Sequence, residues 1–386
     1  MGYKKLRADQ LFDGYRMLDD QSVLIMAEDG IVEEIVSLTE TGDDIEFHNG
    51  IISPGFVNCH CHLELSHMKG LIPPKTGLVD FVLRVVKDRH FSDETILEAI
   101  VRAEDEMLSN GIVAVGDICN NTLTIPQKTK GRIWYHNFIE ASGFLPSVSE
   151  IRFQKAVDIF KEYAKQYAIP VESNSIVPHA PYSVSDELWQ KIIFFPGNHL
   201  MTIHNQESQE ENDWFLNKEG GFKKLYEQMN MDASFFQPST LSSLQTVFQK
   251  FLPNQQLILV HNIYTSADDI AFVKKEKRHV YWCICPNANL YIGGKLPAID
   301  IFIQENCPIV LGTDSLASNQ ELNILSEMRT IHQHFPSIAI KQLFEWATLN
   351  GAKALQMDNI LGSFEKGKKP GVVLINQELS ILQRLI

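Results

Sequence analysis

Residues 54–70 read "PGFVNCHCHLELSHMKG", an apolar run that ends in His60-Cys61-His62, with His67 just beyond. Alternate residues of a β-strand share a face, so His60 and His62 bring two imidazoles to one point. Cys59 and Cys61 then turn the other way, into packing. Two readings compete: a histidine-rich turn without chemistry, and a pair of metal ligands at the end of a strand. A lone histidine at a strand end is usually a satisfied core or turn residue, so the choice rests on the rest of the chain.

Working outward, short apolar runs recur with helical stretches between them: "GIISPGFVN", "IVAVGDI", "RIWYHNFI", "NSIVPHA", "LMTIH", "QLILVH", "HVYWCICP" and "CPIVLGTD". Intervening segments such as "DETILEAIVRAEDEMLSNG" and "SDELWQKIIFF" carry helix-period apolar residues behind Ser or Asp caps. Eight such alternations predict an α/β fold, a (β/α)8 TIM-like barrel over residues 51–359. A doubly wound sheet is the competing architecture, but no Gly-x-Gly-x-x-Gly turn follows the first strand. Residues 1–50 read as a β-meander with an Asp29-Gly30 hairpin turn, and 360–386 as similar material around "GVVLIN". Both termini are therefore expected to build one small β-sandwich domain.

Composition narrows the function. The chain has 386 residues, 44% of them hydrophobic and 21% charged, which is ordinary for a soluble globular protein. Against 34 Lys and Arg stand 48 Asp and Glu, and a formal charge of -14 argues against nucleic acid or an anionic membrane as partner. A small-molecule substrate fits better. No run approaches the roughly 18 apolar residues of a membrane span, and no secretory segment opens the chain, so a cytoplasmic location is expected. The cysteines at 59, 61, 119, 283, 285 and 307 sit mostly in apolar runs and read as reduced core thiols. The Cys-x-Cys spacing is too tight for a structural zinc-thiolate site.

In a barrel of this kind chemistry sits at the carboxyl ends of the strands. In order, those ends carry His60 and His62, Asp117, Glu140, His179, His204, His261, Pro286 and Asp314. His204 and Asp314 end the fifth and eighth runs, and closure brings the eighth strand beside the first. Three imidazole nitrogens and one carboxylate oxygen form a plausible shell for Zn²⁺ or Fe²⁺ with a place left for water. Glu207 follows His204 by three residues and aims back at that water. Its bland reading is a solvated acid in "HNQESQEEND". His261 has a firmer case, because it ends an otherwise apolar strand.

The stretches "PGFVNCHCHLE", "HNQES", "LVHN", "CPNANLYIGGKLP" and "LGTDSLASN" resemble the signature of the amidohydrolase superfamily, in its branch of aminohydrolases and chlorohydrolases. "LGSFEKGKKPGVVLI" is similar to the closing stretch of that family. The resemblance implies His60, His62, His204 and Asp314 as metal ligands, Glu207 as proton shuttle and His261 as a residue that orients the attacking water. "PHAPYSVS" resembles a further family stretch, which makes His179 a substrate contact. Departures are mild: Asn262 follows His261 where Cys is common, and Pro370-Gly371 stand where Ala-Asp is usual. Binuclear members use a carbamylated Lys at the end of the fourth strand. "NSIVPHAPYS" has none, which implies one divalent ion, Zn²⁺ or Fe²⁺, and favours deamination of an aromatic ring over opening of a cyclic amide.

The implied mechanism has Asp314 or His261 taking the proton of the attacking water while protonated Glu207 serves the ring nitrogen and the departing ammonia. "HLELSH" followed by "GLVDFV" resembles adenosine-type deaminases, a subgroup that includes those acting on aminodeoxyfutalosine. Glu64, Arg84, His179 and Ser318 are the candidate substrate contacts. Residues 205–256 are a candidate lid, with Trp214, Phe235 and Phe236 available to stack on a flat ring. Rival readings are a chlorohydrolase, a deaminase of guanine, cytosine or S-adenosylhomocysteine, and a non-catalytic metal-binding protein. Barrels of this type often pair, so a homodimer is a further expectation.

Overall fold

The computed structural model describes residues 2–166 and 173–386. Two four-stranded parallel sheets form its centre. The first runs β6 (Phe56–Cys61), β7 (Ile112–Cys119), β8 (Trp134–Ala141) and β9 (Asn174–Pro178). The second runs β10 (Leu200–Asn205), β11 (Gln256–His261), β12 (Val280–Ile284) and β13 (Ile309–Leu311). Their strands are almost wholly buried, as expected where helices cover a parallel sheet, and this explains why they read as continuous apolar runs.

Backbone hydrogen bonds link the two sheets at both edges. His204 N–H donates to the His179 carbonyl at 3.0 Å, and the amides of Thr313 and Asp314 both donate to the His60 carbonyl, at 3.1 and 3.0 Å. The second link brings the end of β13 beside the end of β6, where Cys61 and Asp314 form an isolated parallel bridge. Gly312 permits that approach. A Cβ there would lie 2.8 Å from the Cβ of His60 and 3.0 Å from the sulfurs of Cys283 and Cys285.

Helices start where caps were read. Ser92 accepts from the Thr95 amide ahead of the helix Asp93–Ser109, and Ser185 accepts from the Leu188 amide ahead of Asp186–Ile193. Pro286 is the first residue of the helix Pro286–Ile292, so the "HVYWCICP" run stops as a strand at Ile284.

The first run differs from its reading. "GIISPGFVN" splits at Gly55 between β5 (Glu46–Pro54) and β6, and each half joins a different sheet. A Cβ on Gly55 would meet Val113 Cγ1 at 2.4 Å and the Pro370 carbonyl at 2.8 Å, so only glycine fits the crossing. β5 belongs to a seven-stranded sheet with β1 (Tyr3–Phe12), β2 (Met17–Leu18), β3 (Ser22–Ala27), β4 (Val32–Ser37), β14 (Val372–Ile375) and β15 (Leu382–Arg384). The order is β15-β14-β5-β1-β3-β4, with β2 on β1, one hydrogen-bonded path through both termini. β3 and β4 form the hairpin around Asp29-Gly30, with Gly30 at φ 89°. Leu6, Leu24, Met26, Ile52 and Val372 pack in an apolar cluster of this sheet's own.

Candidate active site

His60 is the penultimate residue of β6 and His62 lies one residue past its end, and their imidazoles turn to one point, while Cys59 packs behind the strand with its sulfur 3.8 Å from the Gly351 carbonyl. His204 is the penultimate residue of β10. Asp314 lies three residues past β13 with a left-handed backbone, φ 57°. These four come together. His62 Nε2 is 3.2 Å from His60 Nε2 and 3.3 Å from His204 Nε2. Asp314 Oδ1 lies 3.5 Å from His60 Nε2 and 3.3 Å from His62 Nε2.

Proton accounting shows what such a cluster fits. His204 Nδ1 lies 2.8 Å from the His179 carbonyl, which only accepts, so Nδ1 carries the proton and Nε2 the lone pair. Burial pushes all three imidazoles toward the neutral form: His60 down, His62 to about 3 and His204 well below its usual value. Burial alone would raise Asp314, but the imidazoles of His60 and His62 packed against it hold it well below the usual carboxylate range. Neutral nitrogens and an ionised oxygen converging on one point are a donor set for a divalent cation. Ser318 Oγ donates to the other Asp314 oxygen at 2.6 Å and orients it.

Glu207 and His261 flank this cluster, with Glu207 Oε2 3.6 Å from His261 Nε2. Burial raises the Glu207 carboxyl to about 7, so it can both give and take a proton near neutrality. His261 Nδ1 sits 2.9 Å from Asn289 Oδ1, an acceptor, so its proton is held there and Nε2 is left as a base. His261 and Asn262 both have positive φ, 75° and 58°. Such strained backbone at non-glycine residues gathers at working sites.

The cluster floors a cleft lined by His62, His179, His204, Glu207, His261 and Asp314, with a largely apolar upper wall. One stripe of the helix Leu78–Asp88 faces it: Leu78, Phe81, Val82, Val85 and Val86, continued by Arg89. Arg84 falls off that stripe, is exposed and does not line the cleft, which corrects its assignment as a substrate contact. Glu64 and Ser318 are buried behind the lining. Glu64 receives Arg89 Nη2 at 2.8 Å and the Asn120 amide at 2.9 Å, two groups that do line it. His179 lines the cleft, with Nδ1 2.7 Å from Ser183 Oγ.

The 205–256 segment supplies Glu207, Leu225, Tyr226, Met229 and Met231 to the cleft, while Trp214, Phe235 and Phe236 do not line it. Trp214 stacks on Phe236 with centroids 5.0 Å apart, an apolar packing contact. Asp117 stands off the cleft: it accepts the Leu63 amide at 2.8 Å and pairs with buried Lys128. Arg89, Asn289, Tyr226 and Ser315 went unread. The helical stripe ending at Arg89 and the place of Asn289 one turn into a Pro-started helix were the available signals.

Residues 51–384 match the model of the amidohydrolase family. The adenosine deaminase of Helicobacter pylori is 25% identical over 357 residues, 88% of this chain and 84% of that one. A 5-methylthioadenosine/S-adenosylhomocysteine deaminase of Saccharophagus degradans is 27% identical over 380 residues, 91% of this chain and 78% of that one. The crystal structure of Helicobacter pylori aminofutalosine deaminase with methylthio-coformycin has a similar fold, with a TM-score of 0.82 at 22% identity over 97% of this chain and 92% of that one. A zinc-bound adenosine deaminase of Xanthomonas campestris aligns with a TM-score of 0.73 at 19% identity, over 96% of this chain and 84% of that one. With a family match that spans most of its length, the chain belongs to the amidohydrolase family.

Proposed function

We propose that this protein is a metal-dependent aminohydrolase that deaminates the adenine ring of a nucleoside such as aminodeoxyfutalosine and releases ammonia. The observation that carries the reading is the convergence of His60, His62, His204 and Asp314 below a cleft that also holds Glu207 and His261. The named activities of the relatives supply the substrate class. The two parallel sheets read as halves of one (β/α)8 barrel over residues 51–359. The terminal sheet reads as a small β-sandwich domain from 1–50 and 360–386. No helix of the described residues is long and apolar enough to cross a membrane, and six free cysteines suit the cytoplasm.

His60, His62, His204 and Asp314 would hold a single ion, Zn²⁺ or alternatively Fe²⁺. Such an ion supplies the Lewis acidity that makes water nucleophilic near neutral pH. His261 takes a proton from the attacking water on Nε2, because its Nδ1 proton is committed to Asn289. Glu207, part-protonated near pH 7, gives its proton to the ring nitrogen beside the attacked carbon. Ionised Glu207 then takes the proton of the hydroxyl now on the ring carbon and passes it to the amino group as the carbon–nitrogen bond breaks, so that the carbonyl forms and ammonia leaves; the proton held on His261 returns to Glu207. The apolar wall excludes water and seats the flat ring.

Ammonia release tests the reading, measured with metal-loaded protein on aminodeoxyfutalosine, adenosine, S-adenosylhomocysteine, 5'-methylthioadenosine, guanine, cytosine and aminated triazines. Release from an adenine nucleoside that stops on chelation supports it. Silence on every adenine nucleoside refutes it.

A further inference from the structure

Glu140 ends β8, and the mechanism above leaves it unused. Its side chain is 7% exposed and it lines the cleft, yet Oε2 has no hydrogen-bond partner among the described residues. His204 Nδ1 is 3.8 Å away and already committed to the His179 carbonyl at 2.8 Å. A buried carboxylate oxygen without a partner is costly, and such an oxygen in a binding cleft calls for a donor from the ligand.

His179 stands beside it: one ligand atom each of Glu140, His179 and His204 lie within 4.8 Å of one another. His179 Nδ1 lies 2.7 Å from Ser183 Oγ, whose hydroxyl also reaches the Ala180 carbonyl at 3.1 Å. Glu140 Oε2, with the His179 ring beside it, is a buried acceptor at this corner of the cleft.

An adenine ring substituted at N9 cannot satisfy that corner. Its ring nitrogens accept, and its one donor is the exocyclic amine, which must sit at the reacting carbon. The remaining donors of a nucleoside are its sugar hydroxyls. We infer that Glu140 and His179 bind the vicinal hydroxyls of the sugar, so that the substrates are ribonucleosides rather than dideoxynucleosides or free bases. This rests on the adenine-ring reading above.

The test compares kcat/KM for adenosine and 2',3'-dideoxyadenosine in zinc-loaded wild type, Glu140→Gln and Glu140→Ala, with zinc content measured in each. Wild type should prefer adenosine by about ten- to a hundredfold, the strength of a hydrogen bond to a charged group. Both variants should lose that preference through adenosine alone and keep their zinc. Three results overturn the inference and leave the function standing: equal use of both nucleosides by wild type, equal losses on both in the variants, or zinc loss, which would make Glu140 a support for His204. Wild type that deaminates neither these nucleosides nor any other adenine nucleoside overturns the function and the inference together.

Discussion

Replacing Glu207 with glutamine separates the chemical work of this side chain from the electrostatic penalty of burying it. The carboxyl is 6% exposed, and burial raises its pKa from 4.5 to about 7. The unfolded chain thus releases this proton near 4.5 and the folded chain near 7. Below about 4.5 both states hold the proton and the residue costs nothing. Above about 7 both have lost it, and the folded state bears the full cost of a buried charge. At about 1.4 kcal/mol per unit, the gap is worth about 3 kcal/mol of lost stability, which develops as pH rises through that window. Glutamine never ionises and escapes it. Metal-free Glu207→Gln should therefore exceed metal-free wild type by less than about 1 kcal/mol near pH 5 and by about 3 kcal/mol at pH 8.5 in urea denaturation. The metal-loaded variant should keep its zinc and lose about a hundred- to ten-thousand-fold in kcat, the usual worth of a positioned acid-base group. Retention of more than about a tenth of the activity would refute the shuttle role. An equal stability difference at both pH values would refute the burial argument.

Ser318→Ala removes the hydroxyl that holds Asp314 Oδ2 at 2.6 Å, and should weaken zinc binding about ten- to a hundredfold in a chelator competition assay. Gly312→Ala drives a methyl to 2.8 Å from His60 Cβ, and should lower stability by about 1–3 kcal/mol in denaturant titration, with weaker zinc binding as well. Arg84→Ala and Arg89→Ala should part company. The first leaves kcat/KM and stability as in wild type, because Arg84 lies off the cleft stripe. The second strands the buried Glu64 carboxylate and should cost about 2 kcal/mol, less than a fully buried pair because Arg89 is 28% exposed.

His60 and His62 were legible because a two-residue period needs only local strand geometry. His204, His261 and Asp314 were legible because each ends an apolar run, and parallel strands gather their carboxyl ends on one side. Chain position could not give the phase of the helix Leu78–Asp88. Arg84 and Arg89 lie five residues apart, about 140° around the axis, so one faces solvent and the other the cleft. Glu64 shows the same gap: its place after His62 suggested substrate, but its partners, Arg89 and Asn120, come from later in the chain. The small sheet was read from its turns, yet the parallel pairing of β1 with β5 and the run of β5 through Pro54 depend on long-range pairing. The aromatics at 214, 235 and 236 were read as lid residues by type alone. Packing chose Tyr226, Met229 and Met231 for the cleft, and adaptable methionines suit that wall.

The most direct test of the central claim is titration of metal-free protein with zinc while ammonia release from adenosine, or from whichever adenine nucleoside it turns over, is followed. A single site built from His60, His62, His204 and Asp314 predicts activity that rises linearly and stops at one zinc per chain, with none recovered in His62→Ala. Activity without zinc, activity that needs a second equivalent, or full activity in His62→Ala would contradict it.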